Sequence, residues 1–327
     1  MLNWLVKETL AAYWPTGQIN FFAGKTSIKG PRLMITNSKA FRQFTATSIF
    51  YAVILTACAT TQKFDDDSST KIDPSDAKNF KLKVSASKSN SGIADYKFQG
   101  ANFKAQWISC TGKDKDPYVA VLGTSDQSDA AKFCNDWSAQ ALLQSGFNVV
   151  TVLRSGKGQS TGSDDFGGPQ SVTAAGAGIQ AALGKGNLAG VWAYDHGTIT
   201  ASFLAKTLSG LKWLMLGNGF YDLEVVERTT KNESVSKTIA ALKAKDGEAA
   251  LEHRSIAWDT SKLPDRIAIY HARNDDVAVK VQADAFNDQL RTIQAKVTFD
   301  DIEGASHDLP WQAHFQIAMK ILKGLPK

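Results

Sequence analysis

The 327 residues include 43% hydrophobic, 10% aromatic and 21% charged side chains, a composition that excludes a fibrous repeat or a chain disordered throughout. The formal net charge of +5 belongs to the N terminus, because residues 1–57 hold six Lys or Arg and one acid, and the remainder holds 31 of each sign. No basic stretch with interleaved aromatic residues is present in the sequence. The composition therefore gives no support to nucleic-acid binding.

The segment after Lys39 and Arg42 has the features of an export signal. Its apolar run at residues 49–55 spans, with its flanks, about 12 residues, fewer than the roughly 20 that a membrane-spanning helix needs. We expect a leader over residues 1–57 whose true start is Met34. An uncleaved buried hydrophobic segment is the alternative.

Residues 55–58 read Leu-Thr-Ala-Cys, which resembles the lipobox of bacterial lipoproteins. The resemblance implies that Cys58 carries the lipid that anchors the exported protein to an envelope membrane, at the outer membrane or cell surface. Residues 58–79 are polar and acidic and predict a tether. The globular domain is then expected over residues 80–327.

Two further cysteines, Cys110 and Cys134, lie in this domain. Export would allow them to form a disulfide, and two separately buried thiols are the alternative. The Cys and His spacings match no zinc or redox motif, and the glycine-rich turn near residue 157 lacks the spacing of a phosphate-binding loop. We expect no metal and no cofactor.

Short β-rich runs alternate with helix-compatible stretches after residue 80, which predicts an α/β domain with a mainly parallel sheet flanked by helices. An antiparallel pair is expected first. A helix is expected from Ser128 or Asp129 to Gly146. An insertion at 219–262 breaks the alternation and predicts a small helical cap, with one helix at 234–251. The predicted strands are 80–87, 104–109, 118–122, 147–153, 188–194, 211–216, 267–271 and 296–299, and the other predicted helices are 171–183, 198–208 and 282–290.

Ligands of parallel sheets bind at the carboxyl ends of the strands, so the residues that follow each strand are the candidates for a site. At one such point, Asp195 stands between Ala193 and Gly197 at a strand-to-helix turn. Small residues at these two positions allow strand and helix to approach, and the turn projects residue 195 into a pocket. The amide of His196 would then face developing negative charge.

The order of candidate residues along the chain strengthens this interpretation, since Asp275 and then His307 follow the turn. With the turn at 154–160, which looks like an R-G-x-G-x-S sequence, the whole domain resembles the α/β-hydrolase family. Residues 274–276 and 304–309 are also locally similar to the acyl-transferase thioesterases of bacterial bioluminescence. The resemblance implies an α/β-hydrolase fold.

Carried over by position, the resemblance implies Asp195 as nucleophile, His307 as general base and Asp275 as its orienting carboxylate. The amides of His196 and of Gly123 or Thr124 would form the oxyanion hole. Asp276 or Asp222 could take the role of Asp275. His307 could instead be a helix cap or a surface residue.

An Asp in place of the usual Ser changes the chemistry, because a carboxylate that attacks a carbonyl gives a reactive anhydride, whereas attack at saturated carbon gives a stable ester. That is the scheme of the family's haloalkane dehalogenases and epoxide hydrolases, whose other marks are missing. His196 stands where a Trp is common, and Tyr221 is the cap's only phenol.

Three functions remain: a hydrolase with covalent Asp195, a hydrolase of esters or thioesters in which His307 activates water, and a binding protein without turnover. The expected partner is a small-molecule or acyl substrate. Apolar residues of the predicted cap permit an apolar substrate. They are Leu223, Val225, Val226 and Ile239.

Overall fold

The computed structural model of the chain describes residues 70–71, 82–123, 126–184, 186–293 and 295–327, which fall within one compact unit. The predicted leader, Cys58, most of the predicted tether and Thr124 lie outside the described residues. In the described ranges, no helix combines the length and the apolar character needed to cross a membrane.

A nine-stranded sheet forms the centre of the fold, in the order β1-β9-β8-β7-β6-β4-β5-β3-β2. Pairing is parallel from β1 to β5 in this order, and β3 joins β5 and β2 in antiparallel pairs. The strands are β1 (Thr70–Lys71), β2 (Lys88–Phe98), β3 (Ala101–Thr111), β4 (Tyr118–Leu122), β5 (Asn148–Val152), β6 (Leu188–Tyr194), β7 (Trp213–Gly217), β8 (Arg266–Ala272) and β9 (Lys296–Glu303).

The early antiparallel pair is present, but the prediction of its first strand at 80–87 is wrong. Residues 82–87 form no strand, and β2 begins only at Lys88. All eleven residues of β2 pair with β3 across a two-residue turn in which Gln99 and Gly100 have φ of 48° and 82°. Most β2 side chains are exposed because the strand lies at the sheet edge, so no apolar run marks it in the sequence.

Helices cover both faces of the sheet. They are α1 (Ala130–Cys134), α2 (Trp137–Gln144), α3 (Pro169–Leu183), α4 (Gly197–Ala205), α5 (Leu223–Thr229), α6 (Glu233–Asp246), α7 (Ala249–Glu252), α8 (Lys280–Thr292) and α9 (Trp311–Leu322), with a 3₁₀ turn at Ile256–Trp258. One apolar layer packs α3, α4 and α8 on the sheet, and the other packs α1, α2 and α9 on its opposite face.

Two helices predicted as continuous are each broken by a local capping signal. The side chain of Asp136 accepts a hydrogen bond from the Ser138 amide, which begins α2 separately from α1. Gly247, with φ of 72°, ends α6 before α7 starts.

The insertion between β7 and β8 contains α5, α6, α7 and the 3₁₀ turn. The sequence permits an apolar substrate beside four apolar residues of the insertion, but three of the four are buried in the fold. Leu223, Val226 and Ile239 are at most 1% exposed and pack with Ile199 and Phe220 in a small core of their own. These apolar side chains of the insertion are therefore buried in a core instead of lining a pocket.

Candidate active site

Asp195 occupies a tight turn between β6 and α4. Its φ is 54°, a left-handed conformation that a non-glycine residue rarely adopts, and its amide donates to the Gly217 carbonyl at 3.0 Å. A Cβ on Gly197 would lie 2.6 Å from the Leu122 carbonyl oxygen and 2.7 Å from the Gly123 Cα. The turn therefore requires glycine at 197 so that α4 can start directly beside the end of β4.

The structure brings the three predicted catalytic residues together. His307 Nε2 lies 3.4 Å from Asp195 Oδ1, and His307 Nδ1 lies 2.9 Å from Asp275 Oδ2. The Asp275 side chain is fully buried, and its Oδ1 accepts hydrogen bonds from the amides of Val277 and Ala278 at 2.9 and 2.8 Å. The loop after β8 therefore holds the Asp275 carboxylate in one position.

His307 stands between two carboxylates, and this decides its protonation. Burial disfavours the imidazolium, but the hydrogen bonds and charges of Asp195 and Asp275 outweigh burial and raise the pKa of His307 to about 10. Burial also raises the pKa of Asp195, whereas the hydrogen bonds from His196 and His307 outweigh it and hold that pKa well below its usual range. At neutral pH the pair is a carboxylate facing an imidazolium.

The side chain of His196 takes part in the site, which sequence reasoning missed. Its Nδ1 lies 2.8 Å from Asp195 Oδ2 and its Nε2 lies 2.8 Å from Arg154 Nη1. Because Arg154 only donates, Nε2 must accept, and the ring hydrogen is on Nδ1, which donates to Asp195. Salt bridges to Asp126 and Asp164, both at 2.8 Å, hold Arg154 in place.

Asn218, at the end of β7, is a second residue that sequence reasoning missed. Its Nδ2 donates to the His307 carbonyl at 2.9 Å, and its Oδ1 accepts from the Ala272 amide at 2.9 Å. The rule of inspecting residues that follow each strand could have found it, since Asn218 directly follows Gly217. It therefore fixes the loop that carries His307.

The predicted oxyanion hole is partly described. Gly123 lies against the turn, because a Cβ there would lie 2.6 Å from the Gly197 Cα, and His196 is the residue that precedes α4, where helix amides lack intrahelical partners. Thr124 lies outside the described residues.

The alternative candidates have other positions. Asp222 caps α5 by accepting hydrogen bonds from the amides of Glu224 and Val225, and Asp276 is exposed. Tyr221 is fully buried and stacks on Phe286 with ring centroids 4.8 Å apart, so it is no phenol donor to the site.

Cys110 of β3 and Cys134 of α1 form a disulfide, the paired arrangement of the two that the sequence left open. In the described ranges, no group of three or more His, Cys, Asp or Glu side chains is arranged to hold a metal ion.

The fold is the α/β-hydrolase fold, as predicted, and known structures share it. A puromycin-hydrolysing peptidase of Mycobacterium tuberculosis matches with a TM-score of 0.56 and 18% identity over 73% of this chain and 38% of its own. An acylaminoacyl peptidase of Pyrococcus horikoshii matches at 0.55 with 11% identity, over 72% of this chain and 41% of its own. Carboxyl esterase 2 of Tuber melanosporum matches at 0.54 with 16% identity, over 85% of this chain and 98% of its own.

This chain thus spans about two fifths of the length of the two peptidases and nearly all of the esterase. No protein-family model matches the sequence, and no curated protein matches it. At these identities the similarity defines the fold class, and the chemistry has to be argued from the site itself.

Proposed function

We propose that this protein is a hydrolase that works through a covalent ester on Asp195. The observation that carries the proposal is the arrangement of Asp195 on a left-handed turn, 3.4 Å from His307 Nε2, with Asp275 bound to the other ring nitrogen at 2.9 Å. This is the nucleophile, base and acid order of an α/β-hydrolase with a carboxylate as nucleophile.

The protonation of His307 argues against direct activation of water. An imidazolium has no lone pair to accept a proton from water, and the pKa of about 10 keeps His307 in this form at neutral pH. The first step must therefore use a group that is already a nucleophile. The Asp195 carboxylate meets this requirement because its charged form is stabilised by two histidines.

Saturated carbon is the electrophile that fits a carboxylate. Asp195 Oδ2 is bound to His196 at 2.8 Å, whereas Oδ1 has its closest histidine contact at 3.4 Å, so Oδ1 is the attacking oxygen. The Oδ1–carbon bond forms while the bond to the leaving group breaks and the leaving group keeps the electron pair. With an alkyl halide, halide departs; with an epoxide, the ring oxygen leaves and takes a proton from His307.

Ester formation converts His307 into the base for the second step. Esterified Asp195 carries no charge, so one of the two carboxylates that raise the pKa of His307 is removed. After halide departure the pKa of His307 is lower than before, so a larger fraction of the imidazolium loses its proton to solvent. Neutral His307 then takes a proton from water, the hydroxide attacks the ester carbonyl carbon, and the alcohol leaves with a proton, which regenerates the Asp195 carboxylate.

The test is trapping of the ester in the His307→Gln variant of the exported protein. Intact mass is measured after incubation with alkyl chlorides, epoxides, esters and acyl thioesters, and the adduct is mapped by peptide mass. An adduct on Asp195 from an alkyl chloride, absent in the Asp195→Asn control, is the expected result. In H₂¹⁸O, one turnover of the wild type should place ¹⁸O in Asp195.

A binding protein without turnover is the second candidate, favoured by one observation. Asp195 and His307 contact each other, and His196 and Asp275 complete their hydrogen bonds, so the charged side chains of the site have partners without a substrate. Absence of both adduct and turnover with every member of the panel would favour this candidate. Adduct formation from acyl esters alone would instead favour acyl chemistry.

We also propose that the protein is exported and lipid-anchored through Cys58, because a Leu-Thr-Ala-Cys sequence follows a short apolar run with a basic flank. Expression in bacteria fed an alkyne-labelled fatty acid tests this proposal. Wild type should carry the label in the membrane fraction, and Cys58→Ser should carry none. Equal labelling of the two proteins contradicts it.

A further inference from the structure

A cavity of about 200 Å³ opens directly beside the reacting groups. It includes Asp195 and His307 and lies between the start of α2 and the segment that leads into α9. The remaining lining residues are Trp137, Tyr194, Asn218, Asp308, Leu309, Trp311 and His314. No residue of the predicted cap at 219–262 lines this cavity.

The Oδ2 atom of Asp195 is occupied by a fixed side chain. The His196 ring binds Asp195 Oδ2 and Arg154, each at 2.8 Å, and stacks on Phe166 with ring centroids 5.6 Å apart. The cavity behind this ring has about 30 Å³ and does not include Asp195. A substrate that reaches Oδ1 therefore approaches from the α2 and α9 side.

Three aromatic side chains and two histidine rings are among the nine residues that line the 200 Å³ cavity. Trp137 packs on Tyr194 and His314 with ring centroids 5.6 and 5.3 Å apart, and the half-buried Trp311 and Leu309 also line the cavity. Burial, with the nearby charge of His307, lowers the pKa of His314 to about 4, so this ring is neutral. An enclosed apolar site of about 150 Å³ holds one benzene-sized ring, and this cavity is of similar size.

The charges at the cavity disfavour anions. The acids that line it are Asp195 and the exposed Asp308, and the positive charge of His307 is shared with buried Asp275. A carboxylate or phosphate on the substrate would meet net negative charge.

We propose that the non-reacting part of the substrate is a small, uncharged, ring-sized apolar group held in this cavity by Trp311 and Trp137. The assignment rests on the proposed function, since it takes the Oδ1 side of Asp195 as the reacting side. The cap-like insertion has no part in substrate binding, and Trp311 is a specificity-determining residue.

The first experiment measures binding without chemistry. Binding of 2-phenylethanol to the protein is followed by ligand-observed NMR in wild type, Trp311→Ala and Trp258→Ala. Trp258→Ala is the matched control, because Trp258 is 51% exposed and does not line the cavity. We expect Trp311→Ala to weaken binding about tenfold or more, as loss of a central aromatic anchor does, and Trp258→Ala to have no effect. Trp311→Phe should stay within about threefold of wild type because it keeps a ring.

The second experiment measures ester formation in the His307→Gln background. The neutral (2-chloroethyl)benzene should alkylate Asp195 faster than its 4-carboxylate or its 4-trimethylammonium analogue. Asp308→Asn removes one negative charge from the cavity lining, and should speed the carboxylate analogue up to about fivefold relative to the neutral probe.

The outcomes separate the two proposals. If no ester forms while 2-phenylethanol binds in a Trp311-dependent way, the covalent function fails and the cavity assignment stands. If, in the His307→Gln background, an ester forms equally fast with and without Trp311→Ala, or fastest from a charged analogue, the cavity assignment is overturned and the covalent function stands. Loss of 2-phenylethanol binding in Trp258→Ala equal to that in Trp311→Ala also overturns it.

Discussion

Asp195→Asn is the substitution that tests the electrostatic description of the site most directly. It preserves the size of the side chain and removes one of the two carboxylates that face His307, while Asp275 stays at 2.9 Å. His271, whose pKa burial lowers, and His314, whose pKa is lowered to about 4, also lie near and are neutral at pH 7. The change in His307 therefore reports the lost carboxylate.

The magnitude follows from the pKa of about 10 that the two carboxylates give His307. Asp195 Oδ1 lies 3.4 Å from His307 Nε2, and an opposite charge this close raises a pKa by about 1–3 units. Because a third of the Asp195 side chain is exposed, we expect the pKa of His307 to fall by about 1.5 units in the variant, to about 8.5. At about 1.4 kcal/mol per unit, the variant loses about 2 kcal/mol of the stabilisation by protonated His307.

The sign of the pH dependence is determined by the raised pKa. Between about pH 6.5, where the unfolded His307 titrates, and about pH 10, the native state holds a proton that the unfolded chain lacks. The free energy of unfolding therefore falls as the pH rises through this window. Across this window, deprotonation of His307 lowers the free energy of unfolding by about 5 kcal/mol in wild type and by about 3 kcal/mol in Asp195→Asn.

The assay combines imidazole NMR with denaturant unfolding from pH 6.5 to 10. Labelled His307 should stay doubly protonated at pH 8 in wild type and be partly neutral in Asp195→Asn at pH 8.5. Asp308→Asn is the matched control, because Asp308 is the exposed carboxylate next in sequence to the histidine. A wild-type His307 that titrates near pH 6.5, or an equal effect of the control, would refute the reasoning.

Three other changes probe the scaffold. Gly123→Ala places a Cβ 2.6 Å from the Gly197 backbone, and should lower the free energy of unfolding by about 3 kcal/mol or more. Gly210 has φ of 79° but open space around it, so Gly210→Ala should cost only about 1–2 kcal/mol. Equal costs of the two substitutions would contradict the close approach of the backbones at Gly123. Replacing both Cys110 and Cys134 with Ser should lower the unfolding free energy by about 2–4 kcal/mol in denaturant titrations, and reductant should then have no further effect. Arg154→Met removes the donor to His196 Nε2, whereas Asp195 still accepts from Nδ1, so the ¹⁵N shift of Nε2 should change; an unchanged Nε2 shift would contradict this contact.

Much of the fold and the position of the candidate site could be predicted from the sequence because the responsible signals are local. The buried strands Tyr118–Leu122 and Leu188–Tyr194 are continuous apolar runs, and both were predicted with their observed bounds. The small residues around Asp195 are needed by a turn of a few residues, so the turn was visible too. The order of Asp195, Asp275 and His307 along the chain follows from the strand order of the fold.

Other features depend on contacts between distant parts of the chain and were decided only by the tertiary structure. Strand β2 is stabilised by pairing with β3 rather than by an apolar pattern. Arg154 binds His196, which lies 42 positions further along the sequence. The protonation of His307 depends on two carboxylates at short distances, which no residue pattern encodes. The sequence by itself determined which groups are available for chemistry. Only packing decided which oxygen of Asp195 is bound to His196 and which cavity Asp195 lines, because both depend on side chains that meet in space.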